Sequence, residues 1–362
     1  MAHYPRIEAL SVAHPRFRFR QDTLIRAAQD RLLGAGWTDD PRLRDQAAGI
    51  RRLFAAARVE ERQSVVDLPA FYQRTPTTGE RMLLYDECAG ALAMEAAVPC
   101  MAQALNEEGT TSISDVVVVS CTGYSAPGVD VQLARGLQLD VGVRRTVIGH
   151  MGCYGALVGL RQAALSARAQ PGKQTLLLSV ELCSLHFAPS VDLETLTTYA
   201  LFGDAAAAVM VNDDATAAGP AIVDSRSFSD YTAFEQMSWR VGDAGFVMGL
   251  SPRVPVSLRR HVGEAVESLL APHGLSVGDV RHWIVHPGGP SILQAVQGKL
   301  ELSDDQMALS WKVLSEHGNC SSATVLLILN ELMASRQTNK GEWGVMMAFG
   351  PGLTIELCLL RF

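Results

Sequence analysis

Five short runs of this chain are apolar at nearly every position, not at alternate ones. They are Asp115–Ser120 (DVVVVS), Gln174–Glu181 (QTLLLSVE), His282–His286 (HWIVH), Trp343–Ala348 (WGVMMA) and Leu353–Leu360 (LTIELCLL). A strand with one wet face alternates apolar and polar residues, so a strand with no polar side has to be covered on both faces. Between these runs lie segments with helical patterning: residues 83–106, Gln132–Leu137, the run behind Cys153, His261–Leu270, Ser291–Leu300, Gln306–Leu314 and Ser322–Met333. Alternation of this kind predicts an α/β fold with a largely parallel sheet between layers of helices. The plan comes round twice. The first pass closes on a strand pair, Ala205–Val211 with Ala221–Ser225, and the second on the two C-terminal strands. Two duplicated halves are therefore expected, residues 1–225 and 226–362. No Pro/Ser-rich linker separates them, so they share a core.

At 362 residues, 48% hydrophobic and 19% charged, the chain has the makings of a compact enzyme and not of a disordered protein. A net charge of −7 gives no general attraction for nucleic acid. Arg16-Phe17-Arg18-Phe19-Arg20 reads as an edge strand with both aromatic rings on one side, in preference to a nucleic-acid arm. Residues 22–58 read as two or three helices. On them Arg42, Arg44, Arg51 and Arg52 form either a solvated face or a seat for an anionic cofactor, and alone favour the solvated face. The N-terminus has no basic-then-apolar leader, and no uncharged run reaches the ~18 residues of a membrane span. A cytoplasmic protein without membrane insertion is expected, and its seven scattered cysteines are read as free thiols.

One of those thiols sits at a junction. In Arg144–Arg161 (RRTVIGHMGCYGALVGLR) a β-branched strand runs through glycine-punctuated turn residues into an apolar helix, and Cys153 lies between them. Unpaired N–H groups and partial positive charge at a helix start favour thiolate, and Gly152 and Gly155 permit close approach to the sulfur. On this stretch alone a nucleophile and a buried structural thiol are equally open. His286 ends a strand at a His-Pro-Gly-Gly turn, and Asn319 precedes the apolar helix 322–333. Singly, these are a turn residue and a helix cap. Together, Cys, His and Asn form a set suited to acyl transfer through a thioester. The imidazole would hold the sulfur ionised, and its N–H and the Asn amide would donate to an oxygen gaining charge. Since Asn cannot ionise, it suits donation and not base catalysis.

Other readings are weaker. His150-x-x-Cys153 with Cys183-x-x-His186 can be written as a zinc site, but residues three apart in a strand-like run face opposite ways. Neither G-x-G-x-x-G spacing around Cys153 nor any G-x-S-x-G is present, so a dinucleotide loop and a serine hydrolase are set aside, and no metal is expected.

The segments WIVHPGGPSIL, LSEHGNCSSATVLLIL and WGVMMAFGPGLTIE closely resemble motifs of the type III polyketide synthases, the chalcone synthase superfamily, in its bacterial branch. GHMGCYGALVGL, VELCSLHF, LFGDAAAAV and CTGYSAPGVDVQL agree, so the resemblance covers essentially the whole chain and is densest over 115–211 and 282–360. It implies a thiolase-like αβαβα layered fold, a homodimer, acyl-CoA and malonyl-CoA as substrates, and no metal or redox cofactor.

Carried over by residue, the resemblance makes Cys153 the nucleophile, with His286 and Asn319 beside it stabilising the enolate left when malonyl-CoA loses carbon dioxide. Phe202 matches a gate between CoA tunnel and cavity, and Met248 stands where the family has a second gate phenylalanine. Arg52 and Gly288 match CoA-contacting positions, though Ala56 replaces a neighbouring basic residue. Gly350 and Pro351 match a cavity-shaping loop. Cys121, Cys183, His186 and Thr198 fall where chalcone synthases carry Thr, Thr, Thr and Gly. Ala126 falls where a methionine reaches into the partner's cavity. Cys121 is either a second cavity thiol or, preferably, an apolar wall residue.

The expected activity is therefore loading of an acyl starter on Cys153, repeated decarboxylative extension and cyclisation. Ala126, Met248 and the VELCSLHF segment point to a fatty acyl starter and alkylpyrone or alkylresorcinol products. The alternatives are a small aromatic polyketide synthase with an aryl-CoA or malonyl-only starter, a ketoacyl synthase III-like condensing enzyme, and a non-catalytic acyl-CoA-binding relative. Retention of Cys153, His286 and Asn319 argues against the last.

Overall fold

Thirteen strands carry the architecture of the computed structural model, which describes residues 3–34, 36–105, 111–187, 192–214, 217 and 219–362. They are β1 (Arg6–Ala13), β2 (Phe17–Arg20), β3 (Glu61–Ser64), β4 (Ile113–Ser120), β5 (Arg144–Gly149), β6 (Gln174–Leu182), β7 (Asp204–Asn212), β8 (Ala221–Ser229), β9 (Met237–Gly242), β10 (Gly245–Leu250), β11 (Val280–Val285), β12 (Trp343–Gly350) and β13 (Thr354–Arg361). Nine of them join in the order β11-β12-β13-β8-β1-β7-β6-β4-β5. At the centre β1 meets β8 at one residue pair only, Arg6 with Ala221. The sheet thus divides into a five-stranded half and a four-stranded half. In each half a parallel pair (β4 with β6, β11 with β12) is followed by two antiparallel pairings. This is the duplication expected from the sequence. The division expected at 225/226 falls inside β8, which pairs along its length with β13.

Two expectations are corrected. The sheet is mixed, because β6–β7, β7–β1, β12–β13 and β13–β8 all run antiparallel. A strand covered on both faces is apolar throughout whichever way its neighbour runs, so the sequence pattern carries no direction. The strands at 205–211 and 221–225 also do not pair with each other, since β1 lies between β7 and β8. The edge strand expected at Phe17–Phe19 is β2, paired with β3, and its two rings stack 6.4 Å apart.

Side chains alternate across each strand and fill two cores. Val117, Val119, Leu177, Val209, Met346 and Leu360 point to one, Val116, Val118, Leu176, Met210, Val345 and Leu359 to the other. The first core also takes helices Gly155–Ala169 and Thr324–Ser335, which makes them the middle layer of the thiolase-like αβαβα arrangement. The second helix is buried at Val325, Leu326, Leu327, Ile328 and Leu329 in succession, as a helix enclosed on all sides must be. The other core takes the long helix Thr78–Gln103, started by a Thr77/Glu80 capping box, and helices Val254–Leu270 and Pro290–Leu300.

Glycine sets how deep the first middle helix lies. A Cβ on Gly159 would come within 2.7 Å of Leu177 and Val119, and one on Gly155 within 2.9 Å of Val119. Without side chains there, the helix settles onto β4 and β6, and its N-terminal turn carries Cys153 to the end of the strands.

Candidate active site

Three junctions deliver three side chains to one place. Past β5 the chain turns through His150 and Gly152, both at positive φ, into the short 3-10 turn Gly152–Tyr154 that carries Cys153. His286 is the first residue after β11, held to β12 by its N–H donating to the Met347 carbonyl at 2.9 Å. Asn319 lies between helix Asp304–His317 and the turn before Thr324–Ser335. It is pinned on both sides by the residues before β7. Its N–H donates to the Leu201 carbonyl at 2.8 Å, and its carbonyl accepts from Gly203 N–H at 3.0 Å.

The Cys153 thiol faces Asn319 Oδ1 at 3.9 Å, and that same oxygen accepts Ser321 N–H at 2.8 Å. With its oxygen engaged, the Asn319 amide has its NH₂ group left for donation. Cys153, His286 and Asn319 line one cavity together with Gly288 and an apolar wall that includes Met237, Leu250, Val254, Ile292 and Phe349. Among the described residues neither ring nitrogen of the fully buried His286 has a hydrogen-bond partner.

Burial dominates the electrostatics. It pushes the Cys153 thiol up to about 12, against hydrogen bonding at Ser321 and Asn319 that pulls it down. It also lowers the His286 imidazole to about 3. Loss of water thus opposes the thiolate that the helix start and the imidazole were expected to favour.

Cys153 also borders a second cavity, and Phe202, Met237 and Met248 line both. Phe202 and Met248, for which a gate role was expected, thus border both cavities. Cys121, Cys183, His186, Thr198 and Pro351 line the second cavity. Gly350 lies behind it, where a Cβ would meet the Tyr154 ring at 2.6 Å, so the loop after β12 is pressed onto the cysteine turn. Gly288 lines the cavity of His286. Ala126 and Arg52 lie on the surface, Ala126 in the loop after β4 and Arg52 on helix Pro41–Ala56, and neither lines either cavity.

Cys121 is locked in place. Its sulfur accepts Gly152 N–H at 3.1 Å, and burial, then the nearby Glu181, hold its thiol well above the usual range. That fits the wall reading. His186 accepts Phe246 N–H on Nδ1 at 3.0 Å, which fixes Nε2–H as donor to the Thr122 carbonyl at 2.6 Å. The ring stacks on Phe246 at 4.3 Å. Cys183 and His186 share a 3-10 turn, in which residues three apart lie on one side, so the strand argument against zinc does not apply. With both ring nitrogens engaged, His186 has none to offer a metal. Among the described residues no group of three or more His, Cys, Asp or Glu could hold an ion.

Sequence reasoning missed the β9–β10 hairpin, and with it Met237 and Trp239. Trp239 lines the second cavity and donates from Nε1 to the Cys121 carbonyl at 2.7 Å. The available signal was the Gly242-Asp243-Ala244-Gly245 turn between two short runs of mixed polarity. Glu181 was read as a strand end. It is fully buried and accepts from Cys121 N–H at 3.0 Å, from Thr122 Oγ1 at 2.8 Å and from the Ser322 hydroxyl.

Residues 66–215 match the family model for the N-terminal domain of chalcone and stilbene synthases, and residues 232–362 match that for the C-terminal domain. The chain is 34% identical over 362 residues to 1,3,6,8-tetrahydroxynaphthalene synthase of Streptomyces peucetius subsp. caesius, covering 98% of this chain and 93% of that one. It is 29% identical to the alpha-pyrone synthesis polyketide synthase-like Pks18 of Mycobacterium tuberculosis, covering 97% and 89%. Among solved structures, PKS-I of the brown alga Ectocarpus siliculosus superposes with a TM-score of 0.91 at 28% identity over 100% of this chain and 99% of that one. The tetrahydroxynaphthalene synthase of Streptomyces coelicolor A3(2) superposes with a TM-score of 0.87 at 26% identity over 99% of each.

The buried Glu181 yields a prediction. Burial raises its carboxyl from the ordinary 4.5 to about 7. Between those pH values the folded chain keeps a proton that the unfolded chain releases, so stability falls as pH rises through this window, by up to about 3 kcal/mol. Urea unfolding at pH 5 and pH 7 should show this loss in the wild type and a smaller one in Glu181→Gln. Equal pH slopes in the two proteins would show that Glu181 ionises normally.

Proposed function

The chain belongs to the chalcone and stilbene synthase family, the type III polyketide synthases, and from that premise we propose that Cys153, His286 and Asn319 carry its chemistry. The observation behind this reading is the convergence of a thiol, an amide and an unpartnered imidazole on one apolar cavity.

In the loading step, Cys153 Sγ attacks the carbonyl of a starter acyl-CoA while its proton passes to His286. A lone thiolate or a lone imidazolium is costly in this cavity, so transfer accompanies attack and does not precede it. The carbonyl oxygen, gaining charge, takes hydrogen bonds from the Asn319 amide and from His286. Collapse expels CoA, which takes the proton from His286, and the acyl group stays on sulfur.

Malonyl-CoA then enters the same cavity. Its carboxylate meets an apolar wall, and loss of neutral carbon dioxide shifts that charge to the thioester oxygen, where donors stand. The electron pair moves onto the thioester oxygen, where Asn319 NH₂ and the N–H of a neutral imidazole receive the enolate. The enolate carbon attacks the Cys153 thioester carbonyl, and the sulfur leaves as thiolate and takes up a proton from solvent, the one proton that each decarboxylation consumes. The lengthened chain, now on CoA, returns to Cys153 for another round until it cyclises. No step asks for a metal or a redox cofactor.

Further parts of the reading rest on position. Exposed Arg52 is assigned to the CoA phosphates on the family resemblance. β5 is the sheet edge, bonded only to β4, with Val147 exposed. Such an edge is covered by a second copy in a homodimer, and Ala126, in the loop beside it, belongs to that interface. No helix among the described residues is long and apolar enough to cross a membrane, and we place the enzyme in the cytoplasm.

For the starter, the sulfur- and hydrocarbon-rich wall of the second cavity (Cys121, Cys183, Met237, Met248) supports a fatty acyl chain, with an alkylpyrone or alkylresorcinol as product. The second reading, a malonyl-only or aryl starter, is favoured by Trp239 and His186, which occupy that cavity's wall with large rings. The 34% identity to a tetrahydroxynaphthalene synthase also bears on it.

Cys153→Ala should abolish starter loading yet keep measurable release of labelled carbon dioxide from malonyl-CoA, since His286 and Asn319 remain. Asn319→Ala should lower that release by about a hundredfold. Normal release by Asn319→Ala would refute its role.

Labelled malonyl-CoA with a panel of alkyl and aryl starters separates the two readings. Priming by long-chain acyl-CoA supports the fatty acyl reading, and products from malonyl-CoA alone contradict it. In either case Trp239→Ala should shift priming toward longer chains.

A further inference from the structure

Arg62 is a buried cation without an ion-pair partner. It stands in β3, is 1% exposed, and no carboxylate among the described residues lies within ion-pair distance. Asp204 is near in sequence to the gate, but its oxygens are taken by Ser184 N–H at 2.7 Å, the Ser184 hydroxyl and Val65 N–H at 2.9 Å. The guanidinium lies between the rings of Phe187 and Tyr199, each 5.9 Å away. Burying a charge in this way does not favour folding in itself.

Its hydrogen bonds show where it acts. Nη1 donates to the Phe202 carbonyl at 2.9 Å, and Nη2 donates to Gln21 Oε1 at 2.9 Å. Gln21 in turn donates to the Ala200 carbonyl at 2.9 Å. Both lines end on the segment 200–202, which forms part of both cavities through Phe202. That segment is laddered to Asn319 through Leu201 and Gly203.

The contact between the three chain segments is close. A Cβ on Gly203 would meet the His317 carbonyl at 2.5 Å and Arg62 Cβ at 3.2 Å, and one on Gly318 would meet the Leu201 carbonyl at 2.5 Å. A shift of 200–202 therefore moves Asn319 with it.

We propose that Arg62 is a positioning residue: from behind the gate it fixes the Phe202 carbonyl, and through the ladder to Asn319 it sets where the Asn319 amide stands in the cavity. This rests on the role given to Asn319 above. Lysine at 62 keeps the charge but not the fork, so it cannot hold Phe202 and Gln21 together.

The test is a double-mutant cycle on carbon dioxide release from malonyl-CoA, with acyl loading of Cys153 and the thermal midpoint measured alongside. Arg62→Lys should slow release about tenfold and slow acyl loading of Cys153 as well, since Asn319 donates to the oxygen gaining charge in both steps, with the thermal midpoint showing that the variant is folded. In the Asn319→Ala background it should leave the residual rate unchanged, because the group it positions is gone. Gln21→Met, which removes the second anchor, should show a smaller loss and the same non-additivity, and serves if Arg62→Lys fails to fold. Multiplicative effects in the double variants, or wild-type release by the single ones, would overturn the proposal. If Asn319→Ala itself releases carbon dioxide normally, the reading of the site fails first, and the cycle shows that separately.

Discussion

Gly155 and Gly159 put no side chain between the first middle helix and strands β4 and β6, and much of the molecule follows from that contact. The helix lies against the strands at backbone distance, so the turn at its start is brought to the end of the sheet. The second middle helix, apolar on all sides, packs into the same core from the other half. Two helices in one core, each entered from the strand-end side, present their first turns to one another. Cys153 is carried by one of those turns and Asn319 precedes the other. His286 arrives at the end of β11. A duplicated fold thus builds one site from residues as far as 166 positions apart.

The same enclosure governs the chemistry. An apolar cavity raises a thiol and lowers an imidazole for one reason, which is that neither ion has water. In the proposed mechanism charge develops where donors are already aimed at a substrate oxygen, and the residues that carry those donors, His286 and Asn319, are held by backbone hydrogen bonds. Glu181 extends the pattern one layer back, as a carboxyl surrounded by three donors yet still pushed toward neutrality by burial.

Much of this was legible in the sequence. Strands β4, β6, β11, β12 and β13 stood out because burial on both faces leaves no polar residue to confuse the pattern. β1 (RIEALSVA) did not, since its charged and polar residues mask a strand at the very centre of the sheet. Strand direction left no trace, because direction does not alter what a doubly covered strand must be made of. Cys153, His286 and Asn319 were readable because each sits where an element changes type. Trp239 belongs to a small hairpin whose strands are half exposed, so neither periodicity nor composition marked it. Arg62 stands in a four-residue strand reading ERQS, too short and too polar for periodicity to mark it. Only the structure reveals that its guanidinium faces inward.

The central claim is that Cys153, among several thiols around the cavities, is the one that carries the acyl chain. Peptide mapping by mass spectrometry, after brief exposure to a starter acyl-CoA in the absence of malonyl-CoA, tests it most directly. The account requires a single acyl group per chain, on the peptide containing Cys153, with Cys121 and Cys183 unmodified. An adduct on Cys121 or Cys183, or none on Cys153 under conditions in which product forms, would contradict it.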